Sequence, residues 1–141
     1  MSREKLIKNT PYLIHNEEHP FFDTMPYNSI SLININSIKD FEKKINRKIE
    51  FERFRANAYI KNIDPWVEFS WINKKVLIEN CLFRVVKRIS RCSATNLIPN
   101  SGISDMNLPR VLKECYGFSD MGIYLIPLSD GEIKIGDIIK L

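Results

Sequence analysis

Residues 74–89 read KKVLIENCLFRVVKRI, two apolar, β-branched runs that meet at Glu79-Asn80. Two strand-like runs joined by two turn residues predict a β-hairpin. Strand periodicity then puts Cys81, Phe83 and Val85 on one side of the second run. Upstream, SISLINI (29–35) alternates and reads as a strand, followed by Ser37 and Asp40 as a capping-box-like helix start. Ile38, Phe41 and Ile45 share that helix's apolar face, and Lys39, Glu42 and Lys43 face water. The run IEFERFRANAYI (49–60) alternates too. A strand there would line up Arg53, Arg55 and Asn57 on one face and Phe54, Ala56 and Ala58 on the other. After the turn at Asp64-Pro65, Trp66 and Trp71 bracket a short connection.

Downstream of the hairpin, CSATNLIPNSGISDMN (92–107) is polar and rich in turn residues, which places Cys92 where a strand gives way to a loop. Pro109 opens a helix running to about Tyr116, and Gly117 supplies its left-handed cap. GIYLIPL (122–128) and EIKIGDIIKL (132–141) are two more strand-like runs, divided by Asp130-Gly131. Strands outnumber helices. The expected fold is α+β and β-rich, a strongly curved mixed sheet or partial β-barrel with a few short helices.

The chain has 141 residues, 44% of them hydrophobic, which fits a single domain spanning 1–141. Its apolar runs are too short and interrupted to span a bilayer, and the start MSREKLIKN lacks a secretory stretch, so a soluble, cytoplasmic protein without membrane contact is expected. Cys81, Cys92 and Cys115 form an odd set without C-x-x-C spacing, which suits reduced thiols better than a disulfide framework or a zinc ribbon. The net charge of +4 is dispersed rather than gathered in a block. A basic single-strand-binding module, with aromatic rings near Arg53 and Arg55, therefore ranks last, and no nucleic-acid partner is expected. His15 and His19 flank two glutamates, but the order is not H-E-x-x-H and Pro20 opposes a continuing helix. No phosphate-binding glycine loop, dinucleotide fingerprint or G-x-S-x-G elbow occurs.

Cys92 stands in KRISRCSAT, with Lys87, Arg88 and Arg91 close by in sequence, and nearby cations favour a thiolate. A thiolate can bind a soft or high-valent metal or accept a persulfide sulfur. The other reading of Cys92 is a small buried hydrophobe, which suits Cys81 and Cys115 better. Arg53, Arg55 and Asn57 could grip a phosphate and hydrogen-bond a heterocycle, or form an ordinary solvated strand face.

In order along the chain, FDTMPY, RFRANAYI, the W-V-E-F-S-W segment, the hairpin ending in ISRC, Thr95 with the turn PNSG, and GEIKIGDIIKL resemble the MOSC domain. The resemblance runs from about residue 23 to 141 and leaves 1–22 as an N-terminal extension. It implies a molybdenum cofactor (molybdopterin) site in which Cys92 ligates molybdenum or carries sulfur, so that Cys92 is also the expected catalytic residue. It further implies cofactor contacts from Arg55, Asn57 and Thr24. Arg53 and Arg91 complete the expected cofactor-binding set. The implied activity is molybdenum-dependent oxidoreduction; the alternative is a non-catalytic carrier of persulfide sulfur or cofactor that delivers to a client enzyme. Where the family commonly has C-x-x-T-T-V-D-P, this chain has C-S-A-T-N-L-I-P, with Asn96 for a hydroxyl and Ile98 for an acidic residue. Larger relatives carry an N-terminal barrel domain for which this length leaves no room, so a second chain completing the site is a possible partner. No pyridoxal phosphate site is indicated, and sulfur for Cys92 would come from a donor protein.

Overall fold

The structure is a computed structural model and describes residues 28–141. Thr24, the His15–His19 pair and the FDTMPY segment lie outside the described residues. Six strands, β1 (Ile30–Asn34), β2 (Ala58–Ile60), β3 (Lys75–Ile78), β4 (Cys81–Ser90), β5 (Asp120–Pro127) and β6 (Ile139–Lys140), form one sheet in the order β2-β1-β5-β4-β3-β6. The β1–β2 pair is parallel and the other pairs are antiparallel. With helices α1 (Ile35–Ile45) and α2 (Leu108–Tyr116), this curled mixed sheet is the β-rich α+β fold that the strand count predicts.

Alternation sorts the strand residues into two cores. One face gathers Leu32, Trp71, Val76, Ile78, Cys81, Phe83, Val85, Ile123 and Leu125. Ile33, next to Leu32, turns the other way, and so does Met121, because the irregularity at left-handed Gly122 (φ 86°) breaks the alternation before Ile123; both meet Ile38, Phe41, Phe54, Leu108 and Leu112, beneath the two helices. Cys81, Phe83 and Val85 share a buried side as expected, and the hairpin turn at Glu79-Asn80 is present, with Glu79 left-handed at φ 48°. Helix α2 also starts and ends where Pro109 and Gly117 put it, with Gly117 at φ 80°.

Three local expectations are corrected. The capping residue of α1 is Asn34, whose side chain accepts from Asn36 N; Ser37 and Asp40 lie inside the helix. Strand β1 runs straight into α1, and tertiary partners claim both residues: Ser37 Oγ donates to Glu68 (2.7 Å) and Asp40 accepts from Trp66 and Tyr116. Residues 49–60 are not one strand. Phe51–Phe54 form a 3-10 turn that ends at left-handed Arg55 (φ 49°), and only Ala58–Ile60 pair, so Arg53, Arg55 and Asn57 do not share a strand face. The last run is cut as well: Gly136 (φ 100°) sits in a turn closed by Asp137 N donating to Lys134 O and Lys134 N to Asp137 Oδ2. Ile139 and Lys140, beyond that turn, pair with β3 rather than β5.

Candidate functional site

Cys92 lies just beyond β4, at the end of the sheet away from the Glu79-Asn80 turn. Strand β4 slips register twice against β5, between Val85 and Lys87 and between Arg88 and Ser90, before Arg91 N bonds to Ser119 O at 2.9 Å. Cys92 is extended (φ −110°, ψ 179°) and its residue is exposed. Its carbonyl accepts from Thr95 N (3.1 Å) and from Thr95 Oγ1 (2.8 Å), which closes the 3-10 turn Ser93–Asn96 over a buried Thr95. An exposed thiol at a strand end answers the question the sequence left open: Cys81, not Cys92, is the buried hydrophobe.

The loop after Cys92 is held mainly by its own backbone. Ile98 N bonds to Ile103 O (2.8 Å), Leu97 bridges Ser104, and Asp105 N bonds to Asn96 O (3.2 Å). Asn96 Oδ1 accepts from Leu108 N at 2.9 Å and so helps start α2. The two departures at Asn96 and Ile98 are therefore built into an ordered loop.

Arg53 and Arg91 both face inward. The Arg53 side chain is fully buried and grips Asp105 with two nitrogens, at 2.7 and 2.8 Å, while its Nε donates to Glu50 at 2.6 Å. Its Nη1 also reaches Asn96 O at 3.3 Å and Thr95 O at 3.5 Å, at the outer limit of a hydrogen bond. The hydrogen bonds to Asp105 raise the Arg53 pKa, and the same bonds hold the Asp105 carboxyl below its ordinary range. Arg47 pairs with Asp105 from the far side. Arg91 donates from Nε and Nη2 to Met121 O and from Nη1 to Phe54 O (3.0 Å), with its guanidinium 5.3 Å from the Phe54 ring centre. Burial pushes its pKa down to about 10. The other two cations near Cys92 in sequence also have partners. Lys87 lies 5.8 Å from the Tyr124 ring centre, and Arg88 stacks on Phe69 at 4.3 Å and approaches Asp120 at 4.0 Å.

Arg55 and Asn57 remain on the outside. Arg55 caps the 3-10 turn of Arg53, and the Arg91–Phe54 bond links the residue before Cys92 to the residue before Arg55. Arg55 and Cys92 thus flank the two ends of one 3.0 Å bond. Asn57 is oriented by Ser31: its Oδ1 accepts from Ser31 N (2.8 Å) and Oγ (2.9 Å), and its own N–H returns a bond to Ser31 Oγ (2.9 Å). Among the described residues, neither the Cys92 sulfur nor the Arg55 guanidinium has a hydrogen-bond or ion-pair partner.

Two residues that position the site escaped the sequence reading. Asp105 gave no signal, because its partner Arg53 lies 52 residues away. Gly122 did give one, as a lone glycine within a strand pattern, which often marks a close backbone approach. At φ 86° a Cβ there would stand 2.7 Å from Leu32 O and from Ile33 Cγ1, and 3.4 Å from Arg91 Nη2. Among the described residues no group of three or more His, Cys, Asp or Glu side chains is placed to hold a metal ion. Among the described residues the site thus offers a free thiol at Cys92, an unpaired guanidinium at Arg55 and, at Asn57, an amide whose oxygen is fixed by Ser31.

Known proteins are similar to this chain. Over 167 aligned residues the chain is 26% identical to mitochondrial amidoxime-reducing component 1 of Homo sapiens, covering 96% of this chain and 48% of that protein. Over 98 residues it is 31% identical to molybdenum cofactor sulfurase of Caenorhabditis elegans, covering 67% of this chain and 14% of the relative. The chain thus spans less than half the length of these relatives. The crystal structure of YiiM from Geobacillus stearothermophilus superposes with a TM-score of 0.58 over 78% of this chain and 52% of that one, at 17% identity, a likeness of fold alone. The family model of the MOSC domain matches residues 22–140, and the chain belongs to the MOSC domain family.

Proposed function

We propose that this protein binds a molybdenum cofactor through Cys92 as the thiolate ligand to molybdenum and acts in molybdenum-dependent oxidoreduction. The observation that carries the reading is the exposed Cys92 thiol beside the turn that bears Arg55, within a chain that belongs to the MOSC domain family. Arg55 would pair with the cofactor's phosphate, its planar fork matching phosphate oxygens. Asn57, with its oxygen fixed by Ser31, would turn its NH₂ toward the heterocycle. Thr24 is proposed as a further contact. Arg53 and Arg91, their guanidinium groups engaged inside the protein, would hold the two site turns rather than touch the cofactor. When bound, the cofactor supplies the metal centre at which oxygen-atom transfer occurs; the chain's own part is to fix, orient and shield that centre.

Elemental analysis tests this directly. Wild-type protein purified from a host that makes the cofactor should hold close to one molybdenum per chain, and Cys92→Ala should lose it. Metal retained in Cys92→Ala, or absent from wild type, would overturn the assignment of Cys92 as ligand.

A carrier role is the second reading, favoured by the exposure of Cys92. In it, the Cys92 thiolate attacks the terminal sulfur of a donor protein's persulfide; the sulfur–sulfur bond there breaks, the donor leaves as a thiolate, and Cys92 carries the new persulfide. Intact-mass analysis after incubation with such a donor should show one added sulfur on wild type and none on Cys92→Ala. Equal addition to both proteins would exclude Cys92 as the carrier.

A further inference from the structure

The buried Arg53 side chain does more than pair with a carboxylate. Besides Asp105, it addresses two backbone carbonyls of the turn after Cys92, Asn96 O at 3.3 Å and Thr95 O at 3.5 Å. Thr95 in turn donates twice to the Cys92 carbonyl, so a continuous set of hydrogen bonds runs from the Arg53 guanidinium to the backbone of the cysteine. Arg53 also sits two residues before Arg55, on the turn whose last carbonyl is held by Arg91. Two guanidinium groups therefore join the Arg55 turn to the Cys92 turn. Arg91 does so beside the sheet, and Arg53 does so beneath the loop.

An ion pair with a fully buried cation and a part-exposed carboxylate is a weak source of net stability, because desolvation of Arg53 offsets much of the attraction, and the pair is better explained by what it holds in place. Asp105 aims the Arg53 guanidinium: its Oδ1 and Oδ2 accept from Nη1 and Nη2, and the second hydrogen of Nη1 is directed at the loop carbonyls. Glu50 fixes the Nε edge, and Arg47 braces the outer side of Asp105. The loop amide of Asp105 closes the circuit by donating to Asn96 O, the carbonyl that Arg53 also addresses.

We propose that Arg53 and Asp105 are a positioning pair that fixes the Cys92 turn against the Arg55 turn and so sets the direction of the Cys92 thiol. This rests on the reading of Cys92 as the working thiol, and it assigns to Arg53 a role through the loop instead of through the cofactor.

The test uses the full chain without cofactor. Alkylation of Cys92 by iodoacetamide is followed by peptide mass spectrometry, which separates it from Cys81 and Cys115, and amide exchange is measured at Thr95 and Asp105. In Arg53→Met and Asp105→Asn amide exchange should rise about tenfold, the change expected when a charge-assisted hydrogen bond that holds a local structure closed is lost, and alkylation of the already exposed Cys92 should change by more than about twofold as the thiol loses its fixed direction. Arg53→Lys, which keeps the charge but not the fork, should fall between them and wild type. Val76→Ala, a core truncation on β3 remote from the loop, should leave Cys92 alkylation within about twofold of wild type, since distant sites act independently. If the pair variants match Val76→Ala in Cys92 rate, Arg53 and Asp105 serve only the fold and the proposal fails. Should Arg53→Met not fold, Asp105→Asn and Arg53→Lys carry the same comparison. Failure here would leave molybdenum retention by wild type and its loss in Cys92→Ala untouched, so this proposal and the cofactor reading fall separately.

Discussion

At Gly122 the backbone takes φ 86°, and the space a side chain would need is filled by Leu32 O and Ile33 Cγ1, each 2.7 Å from an added Cβ. Gly122→Ala should therefore destabilise the protein by about 2–4 kcal/mol, combining left-handed strain with overpacking against backbone. Urea unfolding at unchanged m-value measures it; a loss below about 0.5 kcal/mol, the range of neutral surface changes, would contradict the close approach. The carboxylate of Asp105 makes a second prediction. Its folded pKa lies below the ordinary 3.8 because Arg53 hydrogen-bonds it, with desolvation opposing and the charges of Arg53 and Arg47 assisting. A depressed acid stabilises the fold above its unfolded pKa and loses that contribution as pH falls through the folded value. The stability gap between wild type and Asp105→Asn should thus be flat above pH 3.8 and narrow below it. A gap that widens on acidification would reverse the assigned sign.

Helix α1 shows how an element can be found from sequence while its boundary moves. Its apolar face, with Ile38 and Phe41 buried, follows from spacing alone. Its start does not, because Ser37 is drawn into a buried cluster: it donates to Glu68 Oε1, accepts from Trp66 N, and leaves Asn34 to cap the helix. Burial raises the pKa of Glu68, a carboxylate whose side-chain donors are Asn34 and Ser37. Ser37→Ala should then cost about 2–3 kcal/mol, since it leaves a buried carboxylate and a backbone N–H each short of a partner, against about 1 kcal/mol for Asn107→Ala, a true cap at α2. Equal costs would make Ser37 an ordinary helix residue. The same logic explains the misread segment at 49–60. Alternation of Phe and Arg looks like a strand, but Arg53 finds Asp105 far along the chain, and pulling it inward winds the backbone into a 3-10 turn that ends at left-handed Arg55. Local pattern located Cys92 at a strand end but put Asn57 on a strand face that does not form; the long-range partners that orient these residues carry no local sign.

The whole molecule is built outward from β5, which pairs with β1 on one side and β4 on the other and supplies Met121, Ile123 and Leu125, all fully buried, to the two cores. The hairpin at 74–89 is decisive for the fold because β4, its second strand, is the longest strand among the described residues and joins that centre directly. Toward the edges the sheet thins: β6 has two residues, and the segment before it exposes Ile133, Ile135 and Ile138. The site grows from the central strands, since Cys92 extends β4 and Arg91 anchors to Met121 of β5, whereas β6 lies at the sheet's edge beyond β3. Catalytic and binding groups gain precision from such rigid supports. Native-state hydrogen exchange should reflect this gradient. Amides of Val85, Ile123 and Leu125 should exchange only through global unfolding, and those of Ile139 and Lys140 at least about 100-fold faster by local fraying. Arg91 N, bonded to Ser119 O, should exchange with the central strands. If Arg91 instead exchanged as fast as β6, the site would rest on a fraying strand end, and its geometry would have to be completed by something outside residues 28–141.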